Sequence, residues 1–204
     1  MASLGQEFFA RQTLTVARDL IGTVLEATAA DGTLVTGRIV EVEAYEGEND
    51  PASHAGRGRT PRSEIMFGPP GHAYVYLIYG MHHCLNFVTA SEGTPGAVLI
   101  RAVEPVAGRQ MMAARRGLAP DTAADRALTA GPGRLCQALG VDLAWNGRPL
   151  FAARDEPDEQ RGRLRLLQPD QPPRRIATTP RIGIRQAVDF PYRFVDPDSS
   201  CLSP

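Results

Sequence analysis

The sequence contains no lysine. All 22 basic residues are arginine, against 23 acidic residues in a chain of 204. Because a Schiff base needs the amine of a lysine side chain, no side chain of this protein can form an imine with a sugar or carbonyl substrate. The net charge of −1 does not by itself indicate a nucleic-acid partner. Residues 161–185 nevertheless hold seven arginines and one acidic residue, which permits a basic face on a nearly neutral protein.

Cysteines and long apolar runs are also scarce. Cys84, Cys136 and Cys201 are odd in number, far apart and without CxxC spacing, which argues against a disulfide framework or a zinc finger. We therefore expect reduced thiols and a cytoplasmic protein. No apolar run approaches the roughly 18 residues of a membrane span. The first 20 residues lack a basic region followed by a long apolar stretch, so no secretory signal is expected.

Several catalytic motifs are missing as well. The sequence has no GxSxG, P-loop or HExxH motif, and no GxGxxG opens a helix after a strand. His82, His83 and Cys84 suggest a metal, but adjacent residues of a strand point to opposite faces and cannot easily share one ion. We predict neither a metal site nor a cofactor.

Periodicity and turn residues predict strands joined by hairpins. TVLEATAA and TLVTGRIVEVEAY alternate around Asp31-Gly32, a candidate type I′ turn, and Thr13 is a candidate cap for a helix through VARDLIG. AYVYLIY and HHCLNFV predict a second hairpin. Further strands are predicted at AVLIRAV, RPLFA, GRLRLL and YRFV, helices at VAGRQMMAARRGL and GPGRLCQALG, and polar loops at DEPDEQRG and PDQPPRR. The pattern favours one mixed domain, residues 1–204, built on antiparallel strands.

Glu41, Glu43 and Tyr45 alternate along one predicted strand and therefore share a face. A strand wetted on one side would explain this pattern. The strand ends, however, at a long loop rich in Gly and Pro, where pockets tend to form, and a partly desolvated carboxylate there is a plausible general base. Tyr74 and Tyr76 share a face of the second hairpin. Aromatic rings beside a carboxylate could sandwich a flat, cationic ligand, although tyrosines in strands also simply fill cores.

The second hairpin turns at Tyr79-Gly80-Met81, where a soluble protein normally places small polar residues. An aromatic ring at a turn tip suits a wedge that separates stacked bases. Enzymes that act on a base within a duplex must extrude it and hold it in a stacking pocket. Two alternatives stay open at this point. One is a nucleic-acid-binding module without catalysis, and the other is a small-molecule hydrolase that uses Glu43 or the histidine pair.

Long blocks of the chain resemble the alkyladenine (3-methyladenine, or methylpurine) DNA glycosylase family. These blocks are GRIVEVEAY, DPASHAGRGRTPR, MFGPPGHAYVYLIYGMHHCLN, VLIRAVEP, GPGRLCQAL and RIGI, in register from about residue 8 to about residue 195. The resemblance implies a single mixed α+β domain, a curved antiparallel β-sheet flanked by helices, with a protruding β-hairpin. It also implies an enzyme of base excision repair whose partner is double-stranded DNA containing damaged purines. Since the sequence shows no self-complementary apolar stripe, we expect a monomer.

The resemblance further implies roles at matching positions. Glu43 corresponds to the general base that activates water, and Arg101 to the arginine that helps to hold that water. In the base-binding pocket, Tyr45 and Tyr76 correspond to the pair that stacks on the flipped base, and His54 to a third wall that offers its backbone amide to the base edge.

Specificity and DNA contacts are implied in the same way. Asn86 corresponds to the residue that crowds out a guanine 2-amino group, and Tyr79 to the side chain inserted into the minor groove, with Met81 beside it. From their positions, four arginines are candidates for contacts to DNA phosphates: Arg57, Arg59 and Arg62 in the loop before the second hairpin, and Arg134 at the N-terminus of the GPGRLCQALG helix. Since lysine is absent, we expect a monofunctional enzyme that leaves an intact abasic site.

Overall fold

The structure is a computed structural model that describes residues 2–151, 162–169 and 175–204. Most of the two polar loops predicted at DEPDEQRG and PDQPPRR lies outside these residues. Within them, eight strands pair antiparallel. The strands are β1 (Val24–Thr28), β2 (Leu34–Tyr45), β3 (Ala73–Ile78), β4 (His82–Val88), β5 (Ala97–Ala107), β6 (Arg163–Leu167), β7 (Ala177–Thr179) and β8 (Arg193–Val195).

Six strands run in the order β3-β4-β5-β2-β1-β6, and β8 joins β2 and carries β7 on its other side. The long strand β2 changes partner along its length. Its first part pairs with β1, whereas residues 41–43 pair with β8. The register against β5 shifts between Ile39 and Val42, and such bulges bend a strand. The sheet therefore curves at β2, and the bend lies next to Glu43.

Five α-helices of the described residues flank the sheet. They are α1 (Gln6–Phe9), α2 (Thr13–Leu20), α3 (Arg109–Arg115), α4 (Asp125–Thr129) and α5 (Pro132–Leu139). Leu20, Met112 and Leu135, from α2, α3 and α5, enter one apolar core with Phe87 of the sheet, and none of the four is exposed. The predicted fold class, a mixed α+β domain on a curved antiparallel sheet, is confirmed.

The β3–β4 hairpin projects its turn into solvent, as predicted. Tyr79 is 88% exposed and Met81 is 69% exposed. Tyr79 and Gly80 have φ values of 51° and 69°, and the N–H of Met81 donates to the carbonyl of Ile78. Positive φ at both central residues is the requirement of a type I′ turn, which favours Asn-Gly. A bulky residue in this region is strained, so Tyr79 is held at the tip against local preference.

Three local predictions are wrong. Thr13 is the first residue of α2 and not its cap, because its hydroxyl is buried against that of Thr89 at 3.0 Å. Only Gly32 of the Asp31-Gly32 pair has positive φ, so this turn is not type I′. Of the RPLFA strand, the described residues form a single bridge, from Pro149 to His72.

Strand β7 was not predicted, because three residues provide too little alternation to recognise. The cysteines are unpaired and buried. Among the described residues, no helix is both long and apolar enough to cross a bilayer.

Candidate active site

A cavity of about 680 Å³ opens where β2, β3, β4 and β5 meet the loops around residues 51–62 and 182–186. It brings together nine of the twelve predicted site residues. They are Glu43, Tyr45, His54, Arg57, Arg62, Tyr76, Tyr79, Asn86 and Arg101. Met81, Arg59 and Arg134 lie outside its lining.

Glu43 lies at the inner end of the cavity and has no exposed surface. Its Oε1 accepts a hydrogen bond from the backbone N–H of Ile182 at 2.7 Å and lies 3.2 Å from Nη1 of Arg101. Its Oε2 accepts one from the hydroxyl of Tyr45 at 2.8 Å. The carboxylate is therefore held from three directions while it still borders the cavity, which is the arrangement a general base needs. A strand face wetted by solvent does not describe this position.

Arg101 lies on β5 and is also buried, at 7% exposure. Its Nε donates to Oε1 of Glu41 at 2.8 Å, and its Nη2 donates to the hydroxyl of Ser203 at 3.0 Å. One guanidinium thus joins the two acidic residues of β2. Because an arginine fork is planar and rigid, these contacts fix the direction in which Nη1 points toward Glu43.

Glu41 is fully buried, but it does not line the cavity. It also accepts hydrogen bonds from Nε of Arg193 at 2.8 Å, and from the backbone N–H and hydroxyl of Ser203, each at 2.6 Å. Burial by itself raises the pKa of Glu41. The hydrogen bonds from Arg193 and Ser203 and the charge of Arg101 outweigh burial and lower that pKa below its ordinary value.

Tyr45 forms one wall of the cavity, and its ring packs against a buried ion pair. The guanidinium of Arg181 lies 4.7 Å from the centre of the Tyr45 ring and is itself buried against Asp50 at 2.5 Å. Burial, with the neighbouring Glu43 carboxylate, raises the pKa of Tyr45 far above its ordinary value, so its hydroxyl stays a donor to Glu43. Such a buried ion pair fixes the ring that it touches.

His54 and Tyr76 form the aromatic part of the other side. Their ring centres are 4.8 Å apart at 72°, and Nδ1 of His54 lies 2.8 Å from the hydroxyl of Tyr74. Burial and the nearby charge of Arg62 lower the pKa of His54 to about 4. The imidazole is therefore neutral at physiological pH and does not repel a cationic ligand. Tyr74 is 3% exposed and belongs to a small apolar cluster, as the core interpretation predicted.

Asn86 and Arg101 lie on the adjacent strands β4 and β5, as predicted, and Asn86 pairs in register with Leu99. Asn86 is 3% exposed, and its Nδ2 donates to the carbonyl of Tyr74 across the hairpin at 3.0 Å. With its amide anchored in this way, the side chain borders the cavity at a fixed position.

The predicted DNA-contacting arginines are in different surroundings. Arg62 lies over the ring of Tyr76 at 4.8 Å. Arg59 pairs with Glu64 at 2.8 Å and lies over the ring of Phe67. Arg57 and Arg134 are exposed and have no ion-pair partner among the described residues.

Comparison with known proteins agrees with this geometry. The profile of the family described as methylpurine-DNA glycosylase matches residues 7–200. The chain belongs to this family. Curated relatives with the provisional name 3-methyladenine DNA glycosylase include one from Methanocella arvoryzae, which is 44% identical over all of this chain and 96% of its own length. Others come from Methanoculleus marisnigri, 48% identical over 94% of each chain, and Rhodopseudomonas palustris, 50% identical over 94% of this chain and 85% of its own.

The predicted glycosylase family, and with it an enzyme of this type, is therefore confirmed. Among the described residues of this family member, no three His, Cys, Asp or Glu side chains are grouped to hold a metal ion.

Sequence reasoning missed the residues that support the site from behind. Arg181 and Ile182 lie in the RIGI block, for which the sequence implies no role, and it implies none for Arg193 or Ser203. Asp50 is the first residue of the DPASHAGRGRTPR block, and its local sequence does not indicate burial. Their partners lie more than 100 residues away along the chain, and no local pattern indicates such contacts.

Proposed function

We propose that this protein is a monofunctional DNA glycosylase that flips an alkylated or deaminated purine out of duplex DNA and hydrolyses its N-glycosidic bond. The observation that carries the proposal is the buried carboxylate of Glu43 at the inner end of an aromatic cavity, in contact with Arg101, with an exposed tyrosine at the rim. A flipped nucleotide would fill such a cavity.

In the proposed reaction, Glu43 accepts a proton from a water molecule, and the water oxygen bonds to the anomeric carbon of the sugar. The bond from that carbon to the purine nitrogen breaks, and its electron pair leaves with the base. Nη1 of Arg101, 3.2 Å from Glu43, can donate a hydrogen bond to the same water. General base catalysis of this kind contributes about 10²–10⁴ in rate.

Recognition of the base would rest on stacking and charge. Tyr45, Tyr76 and His54 supply the walls, and a purine made cationic by alkylation gains about 1–2 kcal/mol from the faces of desolvated aromatic rings. The neutral His54 suits this task, since a protonated ring would repel the cation. We assign to Asn86 the exclusion of a guanine 2-amino group, because its anchored side chain cannot move aside.

DNA engagement would depend on the hairpin tip and on arginines. Tyr79, with Met81 beside it, would fill the gap that the flipped base leaves in the stack. Arg57, Arg59, Arg62 and Arg134 would contact phosphates, which makes affinity salt-dependent. A lyase step requires an imine with the opened sugar. Since no lysine is present, the product is expected to be an intact abasic site.

The test uses duplexes with hypoxanthine or 1,N6-ethenoadenine, together with randomly methylated DNA, at neutral pH with EDTA present. We expect the wild-type protein to release at least one damaged purine, and Glu43→Gln to lose this release by about 10²–10⁴ while it keeps its affinity for DNA. The lesion panel defines the substrate range.

Three results would contradict the proposal. Binding without release from any substrate would leave a lesion-binding module without catalysis. Strand cleavage by β-elimination at an enzyme-dependent rate would exclude the monofunctional mechanism. Release from free nucleosides, unaffected by a change at Tyr79, would favour a small-molecule hydrolase.

A further inference from the structure

Residues 199–204 pack against β2 and β5 next to the cavity, without lining it. Ser199, Cys201 and Ser203 are all buried, and Cys201 packs with Val40 of β2 and Ala102 of β5. This 199–204 segment lies outside the blocks that resemble the family, and none of its residues lines the cavity.

Among the described residues, the hydrogen bonds of Ser203 all go to the side chains of Glu41 and Arg101. Its backbone N–H donates to Oε2 of Glu41 and its hydroxyl donates to Oε1, each at 2.6 Å. The same hydroxyl accepts from Nη2 of Arg101 at 3.0 Å and lies 3.3 Å from Nε. A hydroxyl can donate once and accept twice, so this set of bonds is mutually compatible.

The guanidinium of Arg101 is consequently divided among three partners. Nε is held by Glu41, Nη2 by Ser203, and Nη1 faces Glu43 at the cavity. Two fixed nitrogens of a rigid planar group determine the position of the third. The hydroxyl of Ser203 thereby controls the orientation of the one nitrogen that can reach the reacting water.

We propose that Ser203 is a positioning residue, which acts through Arg101 on the hydrolytic step. The inference rests on the proposed function of Glu43 and Arg101. Without the Ser203 hydroxyl, Nη2 loses the acceptor that the structure provides, while Glu41 still holds Nε. The guanidinium can then rotate about Nε, and Nη1 spends less time against Glu43.

The backbone and side chain of Ser203 are separable in an experiment. Ser203→Ala removes the hydroxyl but keeps the N–H that docks the segment on Glu41. Ser199→Ala is the matched control, because Ser199 is a buried serine of the same segment whose hydroxyl donates to Glu104 and accepts from the N–H of Cys201. A purely structural contribution would affect both variants alike.

We would measure single-turnover base release from a duplex lesion, duplex affinity and melting temperature for wild type, Ser203→Ala, Ser203→Thr and Ser199→Ala. We expect Ser203→Ala to release base about tenfold more slowly, because the hydrogen bond between its hydroxyl and the charged guanidinium of Arg101 is lost. Its affinity for DNA should be unchanged, because this bond lies within the site and does not contact DNA. Ser203→Thr keeps the hydroxyl and should restore most of the rate. Ser199→Ala should release base at the wild-type rate.

The inference is overturned if Ser203→Ala keeps the wild-type rate, or if Ser199→Ala slows release as much as Ser203→Ala does. It is also overturned if Ser203→Thr is folded and as slow as Ser203→Ala. Absence of release by the wild type is a different outcome, because it rejects the proposed function itself.

Discussion

Glu41 and Glu43 lie two residues apart on β2, are equally buried and contact the same arginine, yet they face different surroundings. Glu41 is enclosed by Arg193, Ser203 and Arg101, accepts hydrogen bonds at both oxygens and does not line the cavity. Glu43 is held by Arg101, Ile182 and Tyr45, but it borders the cavity.

The difference shows that burial and an arginine partner do not by themselves indicate catalysis. A carboxylate can accept a proton from a substrate or a water only if it borders a space that they can enter, as Glu43 does. The enclosed carboxylate instead anchors the guanidinium from behind. We therefore expect changes at Glu41 to affect folding stability first, and changes at Glu43 to affect chemistry first.

Glu41→Gln tests the role of the enclosed carboxylate and should have the largest effect on the free energy of unfolding. It leaves Arg193 without its carboxylate partner and removes one of the two carboxylates that pair with Arg101, and loss of one partner of a buried ion pair costs about 3–5 kcal/mol. We expect the lower end of this range, since Arg101 still contacts Glu43. Denaturant unfolding measures it. Glu104→Gln is the control, because Glu104 pairs with Arg38 nearer the surface and should lose only about 1 kcal/mol.

Tyr79→Asn tests the exposed tyrosine at the rim of the cavity. The change creates an Asn-Gly turn, which suits the positive φ values of this hairpin, and it removes no buried surface. We expect a melting temperature at least equal to that of the wild type. Base release from duplex DNA should fall by about 10- to 100-fold, since a ring in the base stack contributes about 1–3 kcal/mol.

Tyr79→Phe is the matched control, since it keeps the ring and should retain release. A slower Tyr79→Phe, or a normal Tyr79→Asn, would exclude the wedge.

Acid unfolding should show whether Glu41 contributes to stability as a buried, charged carboxylate. The pKa of Glu41 lies below its ordinary value of 4.5, so its contribution to stability is fully present above that pH and is lost as pH falls through the lower, folded value. The difference in unfolding free energy between wild type and Glu41→Gln should therefore be constant at neutral pH and shrink only below about pH 4.5. A difference that already declines between pH 8 and pH 6 would contradict this assignment.

Two exposed arginines, one with an ion-pair partner and one without a partner among the described residues, permit a similar comparison with a smaller expected effect. Arg134 has no ion-pair partner among the described residues, whereas Arg59 is paired with Glu64. We expect Arg134→Ala to reduce the slope of log affinity against log salt by about 0.9, as one lost phosphate contact does. Arg59→Ala should reduce it less, because its charge is already compensated. A slope for Arg134→Ala equal to that of the wild type would remove Arg134 from the DNA interface.

The residues that border the cavity could be predicted from the sequence because their placement depends on local patterns. Alternation places Glu43 and Tyr45 on one face, and the Tyr79-Gly80-Met81 turn is visible as an anomaly. The contacts that enclose Glu41 could not be predicted. Ser203 reaches Glu41 across 162 residues of chain, and no periodicity encodes that contact. Thr13 shows the same limit, since a tertiary contact with Thr89 replaced the expected cap.

The most direct test of the account compares Glu43→Gln with Glu41→Gln, each assayed below its melting temperature. Single-turnover base release, duplex affinity and unfolding free energy are measured for both. The account predicts that Glu43→Gln loses about 10²–10⁴ in release with unchanged binding and a smaller loss of stability, whereas Glu41→Gln loses more stability and, while folded, releases base no more than about tenfold more slowly. Release by Glu43→Gln at the wild-type rate, or a folded and equally stable Glu41→Gln that releases no base, would contradict the account.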